Sequence, residues 1–205
     1  MIRIAFGAQM SFWPQCCLRA VGLCALVAIF VGCGTATADQ AAVAPTTVPD
    51  IFDPGVPNAT PIPGVETFSV TSSKHTTEPV DYPQDPPVGG PHDPSWQRCG
   101  VYVAPIKPEH AVHSMEHGAV WITYRPDLPP ADVEYLTGVV TGKRFILLSP
   151  YPGLTDPVVA SAWGAQLRLS DPKDPRLAEF IARYAGNGPE PGATCDTGVE
   201  VTLSG

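Results

Sequence analysis

Residues 119–124 read AVWITY, an unbroken run of small, β-branched and aromatic side chains. Residues of this kind favour strands, and the run has the length of a typical strand. We therefore expect residues 119–124 to be the strongest strand of the chain. Gly118 directly precedes this run, so a helix on its amino-terminal side has to end there.

Further strands and two helices are predicted on either side of this run. Proline opens the first helix, near residue 130, and Gly142 ends it; Asp174 caps the second helix, which ends at Gly186. The other predicted strands are residues 65–70, 100–104, 144–148 and 158–169. This order of elements indicates an α+β fold, in which two helices cover one face of a small mixed sheet.

The segment ahead of this fold is rich in proline and divides into two parts. Residues 33–64 contain mostly Ala, Thr, Pro and Gly, which is typical of a flexible tether without a core. Residues 71–98 contain prolines and paired glycines that exclude a helix, so they are predicted to form a long proline-rich arm. A single domain is expected at residues 65–205.

The amino-terminal region carries a targeting signal. Residues 18–31 read LRAVGLCALVAIFV, which is too short for an uncleaved membrane span of about 20 apolar residues. The basic flank and the small residue at the end are typical of a secretory signal peptide. The sequence FVGC resembles a bacterial lipobox, which predicts a lipoprotein signal peptide at residues 1–32 and diacylglycerol on Cys33. Met10 is an alternative start of translation.

Charge limits the partners of the exported protein. The chain has 12 basic and 20 acidic side chains; removal of the signal leaves 10 basic and 20 acidic ones, a net charge of −10. This balance argues against nucleic-acid binding and against electrostatic docking on anionic lipid. We expect membrane attachment through acyl chains on Cys33, at the extracytoplasmic face of the cell membrane. A protein of the cell envelope is the other expected partner.

The cysteine count agrees with export. Three of the six cysteines leave with the signal peptide and Cys33 takes the lipid, so Cys99 and Cys195 remain. Thiols pair in an oxidising compartment, and these two are predicted to form a disulfide. The alternative is a pair of free, buried thiols.

All five histidines lie between His75 and His117. His113 and His117 are four residues apart, which places them on one side of either a helix or an extended segment. Such a pair can share a metal ion, with His92 and His75 supplied by the proline-rich arm.

The donor types restrict the metal. Imidazole ligands suit zinc or copper, and Met115 would favour Cu(I) if it pointed inward. The predicted ligands are His92, His113 and His117, completed by His75 or Glu116. The alternative is structural, because imidazoles also anchor irregular loops by bonding to backbone carbonyls.

Residues 113–117 read HSMEH and fit the H-x-x-E-H pattern of inverted zinc peptidases. In that chemistry both histidines bind zinc and Glu116 would act as the general base. Gly118 ends the helix early for such a site, and no downstream glutamate is clearly placed as a third ligand. The sequence contains no phosphate-binding loop, so no nucleotide cofactor is expected.

Several of these segments together resemble one known family. They are residues 82–92 (YPQDPPVGGPH), 100–102 (GVY), 113–124 (HSMEHGAVWITY), 149–153 (SPYPG) and 162–164 (AWG). The chain is similar, from about residue 65 to residue 188, to exported or membrane-anchored bacterial proteins that are frequent in actinobacteria and have a domain of unknown function. The resemblance places His75, His92, His113, Glu116, His117 and Gly118 on the family's signature positions. It implies an exported domain with a shared His/Glu cluster, and here a lipoprotein member.

Three functions remain open at this point. The first is a lipid-anchored extracytoplasmic domain whose His/Glu cluster binds a metal ion or a small ligand. The second is a non-enzymatic interaction module of the cell envelope, in which the histidines hold the arm in place. The third is a zinc-dependent hydrolase that uses Glu116.

Overall fold

The computed structural model describes residues 60–190 and 192–203, which form a six-stranded mixed sheet with three helices. The strands are β1 (Val65–Thr67), β2 (Gly100–Val101), β3 (Val120–Tyr124), β4 (Ile146–Pro150), β5 (Val158–Ala162) and β6 (Ala165–Leu169). The helices are α1 (Pro108–Glu116), α2 (Pro130–Val140) and α3 (Arg176–Tyr184). The fold is therefore α+β, as predicted. The signal peptide, Cys33 and the tether up to residue 59 lie outside the described residues.

The strand predicted most strongly lies inside the sheet. The strand order is β1-β6-β5-β3-β4-β2, and all five residues of β3 are buried. β3 runs parallel to β4 and antiparallel to β5, while β2 adds a short parallel pairing at the far edge of β4. A parallel pair needs a crossover connection, and α2 supplies the one between β3 and β4.

The two faces of the sheet carry different structures. Alternate residues of a strand point to opposite faces. Val120 and Ile122 belong to a core cluster with α2 and α3, whereas Trp121 belongs to a second cluster with α1. The two helices predicted from the sequence therefore cover one face, and α1 covers the other.

The sequence predicted two helices, whereas the described residues contain three, because α1 was not recognised. Seven of its nine residues are buried, including several polar ones, so no apolar stripe alternates with a solvated face. The strand predicted at residues 158–169 is also corrected, since it is two strands, β5 and β6. Gly164, with φ +71°, lies in the two-residue turn between them.

The proline-rich arm contains no helix, as predicted, and is fastened to the face that carries α1. His75 and His92 form an isolated parallel bridge, in which the Thr76 amide donates to the His92 carbonyl at 2.7 Å. Packing begins ahead of β1, because Ile62 is buried in the core. Within the described residues, no helix is long and apolar enough to cross a membrane.

Candidate metal site

Helix α1 presents three of the predicted ligands on one side. Successive residues of a helix are rotated by about 100°, so His113, Glu116 and His117 fall within about 100° of one another. His117 follows the last turn as its C-cap, and Gly118 ends the helix with φ +96°. Met115 points away from this side and is fully buried in the cluster beneath the helix.

The arm brings two more histidines to this side of α1. His92 is completely buried, and His75 beside it is exposed. Their ring centroids lie 4.7 Å and 4.9 Å from that of His113, and the ring of His117 lies 4.6 Å from it on another side. His113 is thus the centre of a group of four imidazoles.

Three of these imidazoles are oriented in the same way. The Nδ1 atom of His92 lies 2.8 Å from the Gly90 carbonyl, and that of His113 lies 2.7 Å from the Asp93 carbonyl. The Nδ1 atom of His117 lies 3.0 Å from a third carbonyl, that of residue 194. A carbonyl accepts hydrogen bonds only, so each Nδ1 carries a proton, and in the neutral imidazole Nε2 carries the lone pair. Histidine ligands of metal ions are commonly held in this way.

The Nε2 atom of His92 has no good hydrogen-bond partner. It is buried and lies 3.0 Å from Oε2 of Glu116, but the direction of approach is too far from that of a hydrogen bond. Buried polar atoms are seldom left in this state. In the neutral form of His92, the Nε2 lone pair lies beside a carboxylate oxygen, an arrangement that a cation would satisfy.

The donor atoms form two overlapping groups. The inner set consists of His75, His92, His113 and Glu116; the outer set consists of His113, His117 and Glu190. Within each set, the donor atoms all lie within 4.8 Å of one another. The structure therefore brings all five predicted residues together around His113, but places His117 in a different set from His92.

Glu190 was missed by the sequence analysis. Its Oε2 lies 3.3 Å from Nε2 of His117, and its backbone amide donates to the Glu116 carbonyl. The segment before it can pass this close because Gly188 has no side chain: a Cβ there would lie 2.7 Å from Cα of Gly118. A glutamate between prolines, more than seventy residues after His117, carries no local signal of this position.

The electrostatics around His113 favour its neutral form. Burial and the neighbouring imidazoles of His117, His92 and His75 outweigh the opposing hydrogen bond to the Asp93 carbonyl and together lower the pKa of His113 to about 4. His113 is therefore uncharged at neutral pH and free to act as a ligand. Trp96 packs against His113 and His117, with ring centroids 5.4 Å and 4.9 Å away.

His110 lies outside both sets. Its Nε2 is 3.5 Å from Oδ2 of Asp93, whose side chain also accepts a hydrogen bond from Lys107. Burial lowers the pKa of His110. It is a partly buried histidine on the same helix, and it belongs to neither set of donor atoms.

The predicted cysteine pair lies beside the outer set. The sulfur atoms of Cys99 and Cys195 are at bonding distance, with Cα atoms 5.2 Å apart, and the Cys99 amide donates to the Cys195 carbonyl at 2.7 Å. The carbonyl that orients His117 belongs to Thr194, the residue before Cys195. The covalent link thus holds the chain at the point where it contacts the site.

Residues 73–197 match the family described as Protein of unknown function (DUF3105). The chain belongs to the DUF3105 family. The matched residues include the whole inner set and the whole outer set of the DUF3105 domain. Membership of a family of unknown function, predicted from the sequence, is thereby confirmed. Neither a search of curated proteins nor a search of solved structures found a match.

Proposed function

We propose that this domain binds a transition-metal ion, Zn²⁺ or Cu²⁺, through the inner set. The observation that carries the proposal is the buried Nε2 atom of His92, which lies against Glu116 without a well-formed hydrogen bond. Histidines that only fasten loops need one good bond to a carbonyl, and His92 already has that bond through Nδ1. A purely structural role leaves unexplained why the donor atoms of three histidines and Glu116 lie so close together.

The size of the inner set is close to that of a metal site. Tetrahedral bonds of about 2.1 Å hold neighbouring donor atoms about 3.4 Å apart. His92 and Glu116 are already 3.0 Å apart, and the whole set lies within 4.8 Å, so closing on an ion requires shifts of about 1 Å. Imidazole and carboxylate donors suit Zn²⁺ and Cu²⁺. A Cu(I) site receives no support from Met115, which packs beneath the helix.

The location is part of the proposal. We place the domain outside the cytoplasmic membrane, anchored by diacylglycerol on Cys33, on the strength of the signal peptide and the FVGC sequence. The Cys99–Cys195 pairing fits an oxidising compartment. There, the domain would take up its ion from outside the cell.

The test is metal content combined with thermal unfolding. Wild-type protein purified from its native envelope should contain one ion per chain, and a chelator should lower its melting temperature. Binding at a hundred times the dissociation constant contributes about 2.7 kcal/mol, or about 5–10 °C for a domain of this size. His92→Ala and His113→Ala should lose both the ion and the response to chelator.

The matched control is His110→Ala, which removes an imidazole from the same helix outside both sets. This variant should keep the ion and the response to chelator. Wild-type protein that stays free of metal after loading with zinc and with copper, and unfolds identically with chelator, would remove the proposal. The module with structural histidines would then be the better explanation.

A zinc hydrolase is a second candidate, and Glu190 is the observation that favours it. With His113 and His117, Glu190 completes a two-histidine, one-carboxylate set beside the potential base Glu116. The contact of Glu116 with His92 favours a ligand role instead. Glu116→Gln separates the two: a lost base leaves metal bound and stops peptide hydrolysis, whereas a lost ligand weakens metal binding.

A further inference from the structure

The inner and outer sets share a single imidazole. His113 belongs to both, and its Nδ1 is held by the Asp93 carbonyl at 2.7 Å. Only the Nε2 lone pair of His113 is left for a metal, and one lone pair binds one cation at a time. The two sets are therefore alternative positions for the same ion, and simultaneous occupation of both is excluded.

Each position has one exposed ligand beside its buried ones, and the two exposed ligands differ in charge. In the outer set, the Glu190 side chain is 56 % exposed and carries the only negative charge of that set. In the inner set, His92, His113 and Glu116 are buried and only His75 is exposed. The inner set offers four donors to the ion and the outer set three, so an outer ion keeps more of its water.

We propose that the outer set is the position at which a divalent cation is first captured, and that the ion then passes to the inner set while His113 stays bound. This inference rests on the proposed metal-binding function. The step is ligand exchange: coordination bonds to His117 and Glu190 are replaced by bonds to the remaining inner ligands. The cation keeps its charge, and no covalent bond is broken.

The surroundings of His113 suit a short transfer. The rings of His92 and His117 both lie close to it, with centroids 4.7 Å and 4.6 Å away, so the ion moves by only a few ångströms. The indole of Trp96 packs against the two outer imidazoles, and its Nε1 donates to the Thr197 carbonyl. Trp96 thus shields one side of the path.

His75 is the competing route, because it is exposed and belongs to the inner set. It carries no negative charge to attract a cation from water, whereas Glu190 does. A cation that loads through His75 would be insensitive to Glu190. The two routes therefore make opposite predictions for a single substitution.

The experiment follows Co²⁺ loading of the full mature protein by stopped-flow visible absorption, with Co²⁺ as the coloured probe of a zinc site. Glu190→Gln removes the carboxylate charge and keeps the size of the side chain. It should slow loading by about tenfold, while the visible spectrum of the final Co²⁺ complex stays that of wild type, because Glu190 is not a ligand there. Glu134→Gln, an exposed carboxylate on α2 across the sheet, makes the same charge change and should load like wild type.

The outcomes separate this inference from the function on which it rests. Two Co²⁺ ions per wild-type chain, or an unchanged loading rate in Glu190→Gln, would overturn the transfer. A changed visible spectrum of the final Co²⁺ complex in that variant would also overturn it, because Glu190 would then be a ligand of the final site. Wild-type protein that binds none of Co²⁺, Zn²⁺ and Cu²⁺ would overturn the proposed function itself, and the transfer with it.

Discussion

Replacing Gly188 by alanine should destabilise the protein, because the added Cβ would clash with backbone atoms. A Cβ at this position would lie 2.7 Å from Cα of Gly118, and nearer still to the Gly118 nitrogen and the Glu116 carbonyl oxygen. All three obstacles are main-chain atoms at the end of α1, so no side-chain rotation can relieve the contact.

The cost has two parts. Overpacking at a well-packed position costs about 1–3 kcal/mol. Because all three atoms that the Cβ would meet belong to the backbone, we expect a cost near the upper end of that range. If the backbone around Gly188 moved away from the end of α1, the hydrogen bond from the Glu190 amide to the Glu116 carbonyl would also be lost. That bond contributes about 1 kcal/mol. We expect Gly188→Ala to lower the free energy of unfolding by about 3–4 kcal/mol.

Urea unfolding of the metal-free protein measures this change, and Gly138→Ala is the matched control. Gly138 lies within α2, and a Cβ there meets nothing within 4 Å. Alanine is the better helix former by about 1 kcal/mol, so the same chemical change should raise stability there. If Gly188→Ala proved as stable as wild type, the close passage of residues 186–190 over the end of α1 would be wrong.

Three further predictions concern other parts of the chain. Loss of the Cys99–Cys195 bridge, which spans 96 residues, should lower the free energy of unfolding in urea by about 4–5 kcal/mol, as the chain-entropy model predicts. Two alkylatable thiols in the exported protein would count against the bridge. Met115→Leu should cost less than about 1.5 kcal/mol and leave metal binding unchanged, because the side chain packs in the core; lost copper on titration would contradict this. Cys33→Ala should prevent signal cleavage and detergent partitioning, and a variant processed like wild type on a gel would argue against the lipid.

Segments with a clear period were predictable, and segments buried on several sides were not. β3 and α3 were identified from continuous β-branched residues and from an apolar stripe that includes Leu177 and Phe180. Helix α1 has no such stripe, because it lies between the sheet and the arm and buries polar residues as well as apolar ones. Its polar residues face other parts of the protein, so their pattern does not mark a solvent-exposed side.

The candidate site shows the same division between local and distant information. The spacing of His113 and His117 was enough to place both on one side of the segment, whether helical or extended. The bridge between His75 and His92 depends on how the arm folds back, for which the sequence offered only clustering. Glu190 reaches the cluster because a glycine allows two stretches of backbone to touch, and a contact of that kind has no periodic signal.

The parallel bridge between His75 and His92 also affects how susceptible the arm is to proteolysis. The two proposed ligands of the arm stand at the ends of the loop between these residues, and this loop contains no helix or strand of its own. An ion bound by both histidines and by α1 would hold the two ends of this loop together and restrict its local unfolding. Peptide bonds between residues 76 and 91 should then be cut more slowly in the metal-loaded protein than in the metal-free protein. Under the proposed metal binding, the supply of metal would in this way set the lifetime of the domain.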